Sequence, residues 1–90
     1  MEVGNLILAL KGKEKNQYFV IMSTNEKFAY IVDGKRLKTH NPKKKSMKHI
    51  QKASKNKFPV ELFKVNNDNV NAAIRKFIKE EKENLCQKMM

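Results

Sequence analysis

The runs LILAL (residues 6–10), YFVIM (18–22) and FAYIV (28–32) are each cut short by turn-forming residues: KGKEKNQ around Gly12, STNEK at 23–27, and the Asp33-Gly34 pair. Runs this brief, rich in β-branched and aromatic residues, suit strands and not helices. The first strand is read over residues 3–10, interrupted early by Gly4, and RLKT at 36–39 is read as a short fourth strand. Four strands in the first 40 residues predict a small antiparallel barrel, because closure removes the unpaired edges that an open sheet exposes. Phe58, Val60, Leu62, Phe63 and Val65 predict a further strand, with Pro59 at its start, where a missing amide is tolerated. Asn67 and Asp68 are expected to cap a helix running to about Leu85. That helix would put Val70, Ala73, Ile74, Phe77, Ile78 and Leu85 on one face, and the tail QKMM would fray. The fold expected is mainly β with a C-terminal helix. Residues 1–66 would form the barrel, including a basic extension at 35–57, and residues 67–86 a helix packed on it within one domain.

Charge separates these parts. The chain carries a formal net charge of +11. Residues 1–34 hold four Lys and four acids, and residues 58–90 hold six basic residues and five acids. The segment between them contains Lys35, Arg36, Lys38, Lys43, Lys44, Lys45, Lys48, Lys52, Lys55 and Lys57, with His40 and His49 and no acid. A block of one sign repels itself and raises the local potential, which points to a polyanionic partner, with plain solubility as the bland alternative. Lys greatly outnumbers Arg, which favours point contacts to backbone phosphates over bidentate reading of bases. Within the block, Met47, Ile50 and Ala53 are spaced by three. That spacing fits either a short helix or turn whose thin apolar stripe touches the barrel or an extended segment partly ordered only on RNA. Asn71, Arg75, Lys79 and Lys82, opposite the helix's apolar face, either extend the basic patch or are simply solvated.

No pattern for chemistry emerges. The three glycines are far apart and none leads into a Lys-Ser/Thr pair, so a phosphate-cradling loop is missing. His40 and His49 lie nine residues apart across a proline and match no metal or general-base arrangement. Stacking on RNA and filling space beside the barrel are equally good uses for them. Cys86, the only cysteine, cannot form an intrachain disulfide and is expected to pack inertly in a reducing cytoplasm. Asp33 is explained by turn capping, and Glu80 and Glu81 by adjacent helix positions that do not face each other. No apolar run approaches the length needed to span a bilayer. A non-enzymatic cytoplasmic protein, without metal or cofactor and monomeric when free, is expected. Phe28 and Tyr30, which share one strand face, are read mainly as core or rim packing, with Tyr18 the more credible exposed ring and stacking on bases a side hypothesis.

The order of these features resembles the KOW-domain RNA-binding proteins, a group that includes a large-subunit ribosomal protein of archaea and eukaryotes and small bacterial relatives. The likeness runs from Val3-Gly4 through LILAL, GKEKNQYFVI and AYIVDGK into RLKTHNPKKKSMKHIQ, and VNAAIRKFIK resembles the relatives' C-terminal helix. In the basic loop Asn16 stands where the family pattern has a second glycine, a tolerable change if a positive φ is needed there. The resemblance implies an SH3-like barrel that binds structured RNA, foremost large-subunit ribosomal RNA beside other ribosomal proteins, without catalysis. RNA-facing roles pass to Lys11, Lys13, Lys15, Lys35, Arg36, Lys38, Lys43, Lys44, Lys45, Lys48 and His49. Gly4, Gly12, Gly34 and Pro42 would shape the loops. The alternatives are a protein-interaction adaptor docking through its barrel and an architectural DNA-binding protein.

Overall fold

The computed structural model describes residues 1–64 and 68–88. Each of the three apolar runs forms a strand: β1 (Asn5–Ala9), β2 (Tyr18–Thr24) and β3 (Phe28–Val32). The lysine-rich segment supplies two more, β4 (Lys43–Ser46) and β5 (Ile50–Lys57), and the helix α1 spans Asp68–Lys88. All neighbours pair antiparallel in the order β4-β3-β2-β1-β5.

The expected barrel is not formed. β4 and β5 are the two edges of an open sheet and do not pair with each other. The reason lies in their connection, a 3-10 turn of only Met47–His49. The turn is fastened to both sides of the sheet: Met47 N donates to Lys27 O at 2.9 Å, and Leu10 N donates to His49 O at 2.8 Å. β5 therefore leaves the corner to pair with β1 and does not fold back along β4 as a hairpin would. A flat five-stranded sheet would hold its edges about 19 Å apart. The four peptide units from Ser46 to Ile50 reach about 14 Å at most. The sheet must coil to bring those two strand ends together, yet no ladder closes it.

The coiled sheet has two apolar faces, which is why consecutive residues Leu6 and Ile7 of LILAL are both buried, while Leu10 beyond the strand end is exposed. One face gathers Ile7, Ala9, Phe19, Ile21, Ala29, Ile31 and Ile50. The other packs Leu6, Val20 and Val32 against Phe58 and against Val70, Ile74 and Ile78 of α1. Burial of such side chains contributes on the order of 2 kcal/mol each. The segment with Met47, Ile50 and Ala53 is a short 3-10 turn at Met47–His49 that leads straight into β5. Met47 and Ile50 pack on the first face, while Ala53, three residues further along β5, packs on the second, as the strand's period of two requires.

Two other expected strands are absent. RLKT lies in the loop between β3 and β4. The run from Phe58 breaks at Pro59, and Val60–Lys64 forms a 3-10 turn in which Leu62 N donates to Pro59 O at 3.2 Å. Phe58 is buried there, its ring centroid 5.1 Å from that of Phe63 and 5.7 Å from that of Phe77. Val65 and the expected cap Asn67 lie outside the described residues, as do Met89 and Met90 of the tail and the side chain of Cys86.

Candidate functional site

Asp33 and Gly34 end β3 with a loop held by its own carboxylate. Asp33 Oδ1 accepts from the amides of Lys35 (2.8 Å) and Leu37 (3.0 Å), and the amides of Asp33 and Gly34 donate to Leu37 O at 2.9 and 3.1 Å. The loop is docked on α1: Arg75 Nη1 donates to Gly34 O, and Thr39 N donates to Oδ1 of the buried Asn71 at 3.0 Å. Gly34 is required twice over. Its φ of +79° is left-handed, and a Cβ there would lie 2.3 Å from Asn71 O and 2.9 Å from Arg75 Cγ.

That docking builds a cleft of about 820 Å³ between the loop, the start of β2 and one flank of α1. Lys35 and Arg36 stand on one wall, and Arg75, Lys76, Lys79 and Lys82 on the other, where positions about one turn apart share a helix flank. Tyr18 and Ile78 form the apolar part of the lining, and Asn16 and Gln17 add polar groups. Two acids, Asp33 and Glu83, stand against six cations, and Asp33 is engaged by backbone amides. The potential in the cleft is positive, and its concave shape concentrates that potential.

The lysines from 43 to 45 are divided by the strand's period of two. Lys43 and Lys45 both bond to Glu14 of the Gly12 loop, Lys45 through Oε2 at 3.2 Å, and Lys45 Nζ also donates to Lys11 O at 2.7 Å. The Lys45 side chain is only 10% exposed and that of Glu14 14%. Lys44 points to the other face, its Nζ 4.1 Å from the centroid of the half-buried Phe28. Hydrogen bonding from Lys43 pulls the Glu14 carboxyl down to about 2, against the opposing effect of burial and with further help from Lys45. A depressed carboxylate stabilises the fold fully above its ordinary value of 4.5, and that contribution disappears as pH falls towards about 2. Glu14→Gln should therefore melt below the wild type at about pH 6, and the gap should narrow by about pH 2.5. Thermal melts across that range check it, and a constant gap would refute it.

The other candidate residues are spread more widely. Lys11, Lys13 and Lys15 are exposed on the Gly12 loop, which Asn16 closes with φ +68°, its amide donating to Ala9 O at 2.8 Å. Asn16 is the one non-glycine with a positive φ among the described residues. Lys38 is exposed in a turn whose carbonyl accepts from Asn41 N at 2.9 Å, and Pro42 directly precedes β4. Lys48 is exposed and His49 half-buried in the 3-10 turn, while Gly4 sits against Phe58, its carbonyl accepting from Phe58 N at 2.8 Å. Lys57 pairs with Glu2, whose carboxyl is lowered by hydrogen bonding to that lysine. The structure thus brings Lys35 and Arg36 to the cleft and holds Lys43, Lys44 and Lys45 in contacts of their own.

Lys76 and the counter-charge Glu14 escape a reading by segments, because each acts across the fold. Lys76, Lys79 and Lys82 are spaced for one helix flank, and that signal is visible in the sequence; the loop opposite them is not. Glu81, only 5% exposed, serves packing. Ser54 Oγ and Asn56 Nδ2 donate to it, the latter at 3.2 Å, where the register slips from Asn5↔Lys57 to Ile7↔Lys52. Five steps of β5 face two of β1 there, and Glu81 accepts from the side chains of two residues in that irregular stretch. Among the described residues no group of three or more His, Cys, Asp and Glu is placed to hold a metal ion, and no helix is long and apolar enough to cross a membrane. Compared with protein-family models and with curated proteins, the chain matches none.

Proposed function

We propose that this protein binds structured RNA without catalysis, ribosomal RNA foremost, through cationic contacts to backbone phosphates. The observation that carries the proposal is the cleft, where two distant segments present six cations against two carboxylates, one of them engaged by backbone amides. Phosphates neutralise such a site and release counterions, which supplies much of the affinity in binding of this kind. The residue-level resemblance to the KOW-domain RNA-binding proteins turns a general polyanion reading towards RNA, in a cytoplasmic, ribosome-associated setting. Lys11, Lys13, Lys15, Lys38 and Lys48 are exposed outside the cleft and are free to add further phosphate contacts.

Binding of a folded RNA, a single-stranded RNA and a DNA duplex, each measured at two salt concentrations, tests the proposal. Folded RNA should bind most tightly, and its affinity should fall steeply with salt. Equal, weak binding to all three would remove the RNA role. Unchanged affinity for a protein partner after loss of the cleft cations would favour an adaptor.

A further inference from the structure

We infer that the cleft holds an unpaired nucleotide of the bound RNA, its base against Tyr18 and its flanking phosphates on the surrounding cations. The inference rests on the RNA-binding reading and adds which part of an RNA the site recognises. A cleft that served phosphate alone would need only charge, but this one has an aromatic ring in its lining. Tyr18 opens β2, pairs with Leu8 of β1, and packs partly against the cluster of Leu6, Val20 and Ile78. Tyr18 is half-buried and lines the cleft while it packs on that cluster, so the core restrains it beside the space a ligand would fill. An aromatic surface held this way stacks on any base with little loss of side-chain freedom. Asn16 and Gln17, at the same end of the cleft, offer amide donors and acceptors to a base edge. The volume, about 820 Å³, lies in the range of about 300–1,000 Å³ typical of small-molecule sites. A duplex keeps its base faces stacked inside and offers the cleft phosphates, sugars and groove edges but no base face along its length. Unpaired nucleotides offer phosphates and base faces together.

Two RNAs of equal length, a hairpin with a single-stranded loop and a blunt duplex, separate the contributions. Tyr18→Leu should weaken hairpin binding by about tenfold and leave duplex binding unchanged, while Tyr18→Phe should bind both as the wild type does. The chain has no Trp and only two Tyr, so in a Tyr30→Phe background emission reports on Tyr18 alone. Hairpin but not duplex should quench it, and this readout stands even if Tyr18→Leu fails to fold. Equal weakening on both RNAs, an unchanged hairpin affinity in a folded Tyr18→Leu, or equal quenching by both would overturn the inference while leaving RNA binding in place. A wild-type protein that binds neither RNA would overturn both.

Discussion

Replacing Lys76, Lys79 and Lys82 together with glutamine should lower affinity for a folded RNA on the order of a hundredfold at about 0.1 M salt. The slope of affinity against salt should flatten by about three, one for each phosphate no longer neutralised. All three side chains are exposed on one flank of α1 and line the cleft, and glutamine keeps nearly the same helix propensity, so the fold should survive. The informative control is Lys43→Gln with Lys45→Gln. These two lysines are held by Glu14, so their removal should lower thermal stability and cost RNA affinity less than the triple change does. Binding isotherms at several salt concentrations, with a melt for each variant, separate the two effects. An unchanged slope in the triple variant would show that the cleft is not where phosphates bind.

Gly34→Ala should destabilise the protein by about 2–4 kcal/mol. About 1–2 kcal/mol of that comes from forcing an L-residue into the left-handed region, where φ is +79°. The remainder comes from the methyl group itself, which would sit 2.3 Å from Asn71 O, so the loop or the helix must shift. Any shift breaks the bonds from Arg75 to Gly34 O and from Thr39 N to Asn71 Oδ1 and opens one wall of the cleft. Stability and RNA affinity should fall together. Denaturant titration measures the first, and a loss below about 0.5 kcal/mol would mean that the loop is not locked on the helix.

The sequence makes the apolar elements legible because their chemistry repeats with the period of the structure. β1, β2, β3 and the buried side of α1 are all of this kind, as is the Asp33-Gly34 turn, where the residue types themselves demand the conformation. β4 and β5 are hard to read for the opposite reason. An edge strand meets the sheet on one side and water on the other, so KKKS can be a strand with no apolar alternation at all, and charge there discourages pairing with another chain. Closure is also illegible, since it turns on whether β4 and β5 meet after the corner at Met47–His49. Counting charge by segment finds the cation block but conceals how it is spent. Glu14 lies in the segment 1–34, where four Lys balance four acids, and only the fold places it beside Lys43 and Lys45. The cleft draws Lys35 and Arg36 from inside the block and its other four cations from α1, nearly 40 residues further along the chain.

One wall of the cleft precedes β4 and the other belongs to the last element of the fold. A fragment ending before α1 would keep Lys35, Arg36 and Tyr18 but have no groove. A ligand touching both walls therefore binds only molecules whose helix is seated, and it stabilises the seated helix by an amount that grows with the logarithm of free ligand once the site is filled. RNA in the cleft would act as a tie between sheet and helix, so α1 should exchange its amide hydrogens more slowly when RNA is bound, even along turns that no nucleotide touches.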